Sequence, residues 1–181
     1  SRDCGDCPGC TDVSNHTGTA GTKKGGFETL TFDFSSFDGP GPCICFSKND
    51  SDVDRFYMHG TSGNDCIAAS HLPNAKLYGG DGDDTLLAMD IANYAELHGG
   101  DGSDALKSTD VRETHLYGGN GSDTLKAYDG DGDDSYALLR GGDGDDTLLA
   151  ENIADAILEG EDGNDTLTAY GVADASFYGG D

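Results

Sequence analysis

Residues 79–84 read Gly-Gly-Asp-Gly-Asp-Asp, and the same six residues return at 141–146. Variants of this hexapeptide occupy residues 99–104, 118–123 and 160–165. A motif that returns at a nearly constant spacing is typical of a solenoid, in which each repeat packs only against its neighbours. The hexapeptide therefore sets the register in which the rest of the chain is compared.

The first glycine of each turn, called here the leading glycine, marks a period close to 20 residues. The leading glycines are Gly60, Gly79, Gly99, Gly118, Gly141, Gly160 and Gly179. The steps between them are 19, 20, 19, 23, 19 and 19 residues. We therefore predict a roll of stacked coils over residues 59–181.

Apolar residues take fixed places on both sides of each turn. Before the turn they are Leu77, Leu97, Leu116, Leu139, Leu158 and Phe177, and after it Ile67, Leu86, Leu106, Leu125, Leu148 and Leu167. Small residues stand two positions further from the turn, an alternation of period two that predicts strands. Each coil should therefore contain two short strands that face each other, with an aliphatic turn, such as Leu72 or Ile91, at the opposite edge.

The last aspartate of each hexapeptide forms a column of like charges. Parallel coils stack about 4.8 Å apart, and two carboxylates at that spacing repel by roughly 1 kcal/mol in water and by several times more near a protein surface. A whole domain is stable by only about 5 to 15 kcal/mol. A cation is therefore needed, and carboxylate plus carbonyl oxygens in groups of six to eight are the ligands that calcium takes.

These turns resemble the calcium-binding nonapeptide repeat, Gly-Gly-x-Gly-x-Asp-x-hydrophobic-x, of the RTX or haemolysin-type family over roughly residues 60–181. The resemblance implies an all-β, right-handed parallel β-roll that holds calcium between turns and folds only when calcium is present outside the cell. The crossover rule predicts the same handedness. The implied carboxylate ligands are Asp65, Asp84, Asp104, Asp123, Asp146 and Asp165. The implied carbonyl ligands include Gly79, Asp81, Gly99, Asp101, Gly118, Asn120, Gly141, Asp143, Gly160 and Asp162.

The chain departs from the family pattern in two respects. Family members often carry calcium on both edges, whereas here the motif returns once per coil, so we expect one row of up to six ions, with a degenerate first turn at residues 60–65. The 23-residue step adds Asp129, Asp131 and Asp134 at the opposite edge. This stretch is either a further calcium loop or an acidic bulge; it is not an EF-hand, because Arg140 stands where the bidentate glutamate belongs.

Cysteines and charge divide the chain in two. All six cysteines precede residue 67, and they are Cys4, Cys7, Cys10, Cys43, Cys45 and Cys66. An even count in a short stretch predicts disulfides and an oxidising compartment; the alternative is a zinc cluster at residues 4–10, although a second ligand pair of the usual spacing is missing. Residues 1–58 carry 9 acidic and 5 basic side chains, against 26 and 5 in residues 59–181. We predict a disulfide-stapled β cap over 1–58 and a calcium-binding roll over 59–181.

Composition argues against several function classes. A formal net charge of −25 disfavours binding to nucleic acid, and no run of 18 apolar residues predicts a membrane span. The five histidines are dispersed, and no nucleophile is placed beside a base as covalent or acid–base catalysis requires. We therefore predict a secreted, extracellular or cell-surface protein that is not an enzyme.

The leading functional hypothesis is a calcium-dependent structural or adhesive roll. The sequence stops halfway into a turn at residues 179–181, which predicts either a fragment of a longer roll or self-association through an open C-terminal coil into filaments. One alternative is an ice-binding surface, whose threonine rank of Thr85, Thr124, Thr147 and Thr166 is interrupted by Ala105. Others are an accessory module of a secreted enzyme and a template for calcium minerals. Outward Tyr78, Tyr117 and Tyr178, with His98 in the same column, are expected to stack along the strand face; the alternative is a partner-binding stripe.

Overall fold

The computed structural model describes residues 11–12, 28–34, 43–47, 53–129 and 134–181. The regular secondary structure of these segments consists of β-strands alone, and every strand pair is parallel. The strands are β1 (Thr11–Asp12), β2 (Glu28–Asp33), β3 (Cys43–Ser47), β4 (Val53–His59), β5 (Cys66–Asp81), β6 (Thr85–Asp101), β7 (Ala105–Asn120), β8 (Thr124–Tyr128), β9 (Tyr136–Asp143), β10 (Thr147–Glu151), β11 (Asp155–Asp162), β12 (Thr166–Tyr170) and β13 (Asp174–Tyr178). The predicted all-β parallel solenoid is confirmed.

Each coil contributes one segment to each of two parallel stacks. One stack runs through β1, β3, β5, β6, β7, β8, β10 and β12, and the other through β2, β4, β5, β6, β7, β9, β11 and β13. Strands β5, β6 and β7 belong to both because each continues around the turn that lies opposite the hexapeptides. The molecule therefore has a glycine-rich edge, formed by the hexapeptides, and an opposite edge, formed by the other turns.

The predicted apolar columns form the core between the two stacks. Leu86 pairs in register with Ile67 and Leu106, and Leu97 pairs with Leu77 and Leu116. All are buried, as are the small residues of the neighbouring columns, such as Ala88 and Ala95. The predicted inward faces are confirmed as far as β11, whereas in the last coil Leu167 is only partly buried and Phe177 is 50% exposed. Burial of the apolar surface stabilises the coils by about 25 cal/mol per Å².

The opposite edge turns through a column of left-handed residues that the sequence analysis did not identify. Its members, with φ between 47° and 64°, are His71, Asp90, Asp110, Asp129, Asn152 and Gly171. Gly, Asn, Asp and His are the residue types that tolerate this conformation best. Each stands four positions after an inward residue of the column that begins with Ile67, and this recurrence was the available signal. The aliphatic residues that follow, including Leu72 and Ile91, are buried as predicted.

Strands before residue 59 continue the same parallel stacking. Met58 pairs in register with Phe32 and Leu77, and the rings of Phe46 and Phe56 stack with centroids 4.4 Å apart. These aromatic rings fill the interior where later coils place alanine. The division into a cap of 1–58 and a roll of 59–181 stays a prediction.

The described cysteines, Cys43, Cys45 and Cys66, are all disulfide-bonded. The zinc alternative concerns residues 4–10 only and stays a prediction. Cys4, Cys7 and Cys10 lie outside the described residues.

The four extra residues of the long step leave both stacks in register. Tyr128, at the end of β8, pairs with Thr109 and Glu151, and Tyr136, at the start of β9, pairs with Glu113 and Asp155. The extra residues therefore fall between Tyr128 and Tyr136 in the chain and leave the pairing on both sides unchanged. Asp129 and Asp134 of this stretch are described, whereas Asp131 lies outside the described residues.

One outward face carries the aromatic column that the sequence predicted to stack. Tyr78 stacks between His59 and His98 with ring centroids 4.4 Å and 4.9 Å away, and His98 stacks on Tyr117 at 4.6 Å. Because the ring faces cover one another, the stacking prediction is confirmed for Tyr78, His98 and Tyr117, whereas Tyr178 pairs in register with Glu159 and not with an aromatic residue. In the segments that the structure describes, no helix has the length and apolar character needed to cross a membrane.

Candidate metal-binding edge

The motif aspartates are linked in a continuous hydrogen-bonded column. The backbone N–H of Asp65 donates to Oδ1 of Asp84 at 2.7 Å, and Asp84 N–H donates in turn to Oδ1 of Asp104 at 2.7 Å. The same bond joins Asp104 to Asp123, Asp123 to Asp146 and Asp146 to Asp165, at 2.7 to 2.9 Å. Each carboxylate is therefore held in one orientation by the coil that precedes it.

The second carboxylate oxygen has no such partner in five of these residues. The buried Oδ2 atoms of Asp84, Asp104, Asp123, Asp146 and Asp165 accept no hydrogen bond from any described residue. Leaving one buried polar atom unpaired costs about 1 to 3 kcal/mol, and more for a charged group. Five such atoms in one row indicate a ligand that the protein chain does not supply.

Each unpaired oxygen faces a main-chain carbonyl across a leading glycine. A Cβ atom built on Gly79 lies 2.1 Å from Oδ2 of Asp84 and 2.7 Å from the carbonyl oxygen of Gly99. The space between these two oxygens, left open because the leading glycine has no side chain, is called here the cradle. The equivalent cradles are formed by Gly99, Asp104 and Gly118; Gly118, Asp123 and Gly141; Gly141, Asp146 and Gly160; and Gly160, Asp165 and Gly179.

The donor set of a cradle fits a hard cation. A carboxylate oxygen and a carbonyl oxygen converge, and calcium takes oxygen ligands of these two kinds at 2.3 to 2.6 Å. No three His, Cys, Asp or Glu side chains converge at one point within the described segments. The cradles therefore depend on main-chain oxygens for any further ligands, which is the chemistry that the sequence predicted.

Glycine is required at this edge because the coils approach closely. Gly100 and Gly102 have φ of 126° and 140°, and a Cβ on either residue lies 2.0 to 2.1 Å from a carbonyl oxygen of the preceding coil. Glu161 departs from the pattern, since it occupies the position of Gly100 in its own coil with a φ of 75°.

Burial and mutual repulsion disfavour the charged form of the motif aspartates. Burial raises the pKa of Asp84 to about 7, and the charges of Asp104 and Asp65 add to this effect. Burial likewise raises the pKa of Asp104, Asp123 and Asp146 to about 6. The carboxylate column is therefore not electrostatically self-sufficient at neutral pH.

The carbonyl of the third residue of each hexapeptide makes different contacts from the carbonyl of the leading glycine. The carbonyls of Asp101, Asn120, Asp143 and Asp162 accept hydrogen bonds of 2.7 to 2.8 Å from the fourth residue of the preceding turn. The Asp101 side chain also accepts a bond of 2.7 Å from Asn120 Nδ2. The ligand role predicted for these residues and for Asp81 stays a prediction, in which only the second lone pair of each bonded carbonyl is available.

Two residues of the edge were missed from the sequence. The Gly179 carbonyl completes the last cradle, 2.6 Å from a Cβ built on Gly160, and its place in the leading-glycine column was the available signal. Thr61 donates to Asp65 within the first turn, although that turn was recognised only as degenerate.

The acidic stretch of the long step does not join this row. Asp129 Oδ1 accepts a hydrogen bond of 2.9 Å from Asn152 Nδ2 at the opposite edge, and Asp134 is exposed. A calcium loop at Asp129, Asp131 and Asp134 stays a prediction.

Comparison with known families agrees with this geometry. The model of the RTX calcium-binding nonapeptide repeat matches four segments, residues 76–90, 114–136, 138–152 and 154–174, each of which contains one hexapeptide of the row. No curated protein and no solved structure matches the chain. The chain therefore carries RTX calcium-binding nonapeptide repeats, folded as a parallel β-roll.

Proposed function

We propose that this protein is an extracellular structural β-roll whose folding depends on calcium bound along the glycine-rich edge. The observation that carries the proposal is the row of five buried Oδ2 atoms that have no hydrogen-bond partner among the described residues, each facing the carbonyl of the next leading glycine. In this proposal Asp84, Asp104, Asp123, Asp146 and Asp165 bind calcium together with those carbonyls.

At the glycine-rich edge, some groups orient the ligand oxygens and others supply them. The N–H of one motif aspartate holds Oδ1 of the next, so that Oδ2 is directed into the cradle. The leading glycine keeps the cradle open, and its successor in the next coil directs a carbonyl into it. Calcium supplies the positive charge that lets the stacked carboxylates ionise together.

The role is structural rather than catalytic. The described histidines that make short polar contacts do so with carboxylates and tyrosines, as in the pairs His98–Glu96 at 2.8 Å and His115–Tyr94 at 3.3 Å. These contacts lie on one outward face, away from the row of cradles. They support the roll and do not resemble an activated nucleophile.

An oxidising, calcium-rich location is consistent with this role. Disulfides persist outside the cytosol, and the described cysteines are oxidised. In this proposal residues 1–58 are a disulfide-stabilised cap, and residues 59–181 are the calcium-binding roll. Secretion or display at the cell surface follows from the two requirements together.

The last described coil supports an adhesive or assembling role. Phe177 is 50% exposed, Tyr178 is 58% exposed and Tyr170 is 69% exposed, whereas Leu158 in the column of Phe177 is buried. In the proposed assembly a second copy of the roll packs against these side chains; a molecular mass that stays monomeric at high protein and calcium concentrations argues against it.

The structure gives less support to an ice-binding role. Thr85, Ala105 and Thr124 do share one outward column. The parallel column two residues further along contains Lys107 and Lys126 in register, so two charged side chains lie beside the threonine column.

The decisive experiment is far-UV circular dichroism of the chelated, disulfide-intact protein during calcium titration, with magnesium as the control. The proposal predicts a cooperative gain of β signal with calcium and little gain with magnesium, because cradles built from main-chain oxygens suit a large, flexible coordination shell. A full β spectrum in chelator, or no gain with calcium, contradicts the proposal.

A further inference from the structure

The first turn of the edge, residues 60–65, has a different backbone from the turns that follow it. Thr61 stands where Gly80 and Gly100 stand in the next two coils, and these glycines have φ of 123° and 126°. Thr61 and Gly63 are both absent from the residues with positive φ. The turn at 60–65 is therefore formed without either left-handed position of the hexapeptide.

Hydrogen bonds within this turn satisfy its own aspartate. Thr61 N–H donates to Asp65 Oδ2 at 2.5 Å, and the Thr61 hydroxyl lies 3.2 Å from the same oxygen. The N–H of Gly63 donates to the Thr61 hydroxyl at 3.1 Å. Thr61 and Asp65 are each only 3% exposed, so these bonds are shielded from water.

Asp65 is consequently the exception in the row of motif aspartates. Its Oδ2 has donors in Thr61, whereas Oδ2 of Asp84 and of the four later aspartates has none among the described residues. A Cβ on Gly60 lies 2.3 Å from both Asp65 Oδ2 and the Gly79 carbonyl, so the same two oxygens converge here. The difference between this turn and the others is thus the local donor, not the shape of the cradle.

The first turn also positions the second. Asp65 N–H donates to Oδ1 of Asp84 at 2.7 Å, and the Asp65 carbonyl accepts from Thr85 N–H at 2.8 Å. Phe56 of β4, the strand that leads into this turn, is buried and stacks on Phe46. The first turn therefore follows a strand of the aromatic core and presents a hydrogen-bonding edge to residues 79–84.

We propose that turn 60–65 is a calcium-independent start of the ion row, in which Thr61 takes the place of the cation at Asp65. This inference rests on the proposed calcium-binding function and adds its regulation. The row then holds five ions and not six, and calcium-dependent coils are added to a template that is already folded.

The test is the number of calcium ions bound by Thr61→Gly, measured by equilibrium dialysis and calorimetry on the full chain. Glycine removes the hydroxyl donor and allows the positive φ of the later turns, in which the N–H of the second residue does not bond the aspartate Oδ2. One additional ion is therefore expected per chain. The matched control is Glu161→Gly, which also places glycine at the second motif position. In that turn Asp165 Oδ2 already has no hydrogen-bond partner among the described residues. The control is expected to bind as many ions as the wild type.

Hydrogen exchange of the wild type gives a second test that does not depend on a variant. In chelator, amides of residues 53–63 are expected to exchange at least tenfold more slowly than amides of residues 114–128, and calcium is expected to remove most of the difference. Equal, fast exchange of both segments in chelator overturns the template.

The two proposals fail in different ways. If neither the wild type nor Thr61→Gly binds calcium, the proposed function is wrong. If the wild type binds calcium and Thr61→Gly binds the same number of ions, the proposed function stands and the role of Thr61 is wrong.

Discussion

The two edges of the roll turn the same chain in two physically different ways. At the glycine-rich edge, buried carboxylates are left with an unpaired oxygen in five successive coils. At the opposite edge, one left-handed residue begins each described turn, and in four of these turns a buried aliphatic residue follows it, namely Leu72, Ile91, Val111 and Ile153. One edge therefore needs a ligand from outside, whereas the other is completed by the chain itself.

This comparison shows that periodicity alone does not make a coil stable. The core columns are equally buried on both sides of the molecule, so the apolar contribution is shared by the two edges. What differs is electrostatic, because stacking aspartates in register places like charges one coil apart. The sensitivity of the fold to calcium should therefore reside at one edge only.

The largest effect is expected from filling a cradle. In Gly99→Ala the new methyl group is 2.1 Å from Asp104 Oδ2 and 2.7 Å from the Gly118 carbonyl, which excludes a cation from that site. We expect the loss of one bound calcium, with a shift of the calcium midpoint for folding of at least tenfold. Calorimetry and a circular dichroism titration measure both, and a variant with unchanged calcium stoichiometry contradicts the cradle as the site.

A large effect that is independent of calcium is expected at the opposite edge. Ile91 is fully buried, and truncation of a buried isoleucine to alanine costs about 2 to 5 kcal/mol. Urea denaturation of Ile91→Ala in saturating calcium should show this loss while the number of bound ions is unchanged. A loss of bound ions in the folded variant indicates that the two edges are not separable.

A pH effect is expected in the calcium-free protein. Burial raises the pKa of Asp84 to about 7 and that of Asp104 to about 6, above the ordinary value of 3.8. The folded state then binds more protons than the unfolded state between about pH 4 and pH 7, so stability falls as the pH rises through this window. Each unit of pKa difference corresponds to about 1.4 kcal/mol.

The measurement is circular dichroism in chelator between pH 7.5 and pH 4.5, where β signal should increase on acidification. Asp104→Asn, which cannot ionise, should reduce the pH dependence. A β signal that instead increases with pH rules out the unpaired carboxylates as the cause.

The smallest effect is expected from the matched glycine change at the opposite edge. Gly171 has a φ of 64°, and its nearest neighbour for a new Cβ is a side-chain atom, Asn152 Oδ1, at 2.6 Å. Left-handed backbone costs an alanine about 1 to 2 kcal/mol. We expect Gly171→Ala to lower the free energy of unfolding by this amount and to leave calcium binding unchanged. A fall in calcium affinity comparable to that of Gly99→Ala removes the distinction between the edges.

Much of the fold could be predicted because each feature repeats in every coil. The inward residues Leu97 and Leu106 are visible as members of apolar columns, and Asp104 is visible as a member of an acidic one. Features that occur once were not predictable in this way. Thr61 is an example, since its role depends on a hydrogen bond to Asp65 that exists only in one turn.

The sequence by itself determined the period, the parallel stacking and the need for a counter-ion, because these follow from spacing, side-chain alternation and charge. The tertiary structure decided which oxygens converge. Only stacked coils bring the carbonyl of Gly99 next to Oδ2 of Asp84, and only a particular turn conformation brings Thr61 N–H onto Asp65. Each contact involves a main-chain atom, whose direction depends on backbone dihedral angles and coil spacing, and the sequence pattern does not give these.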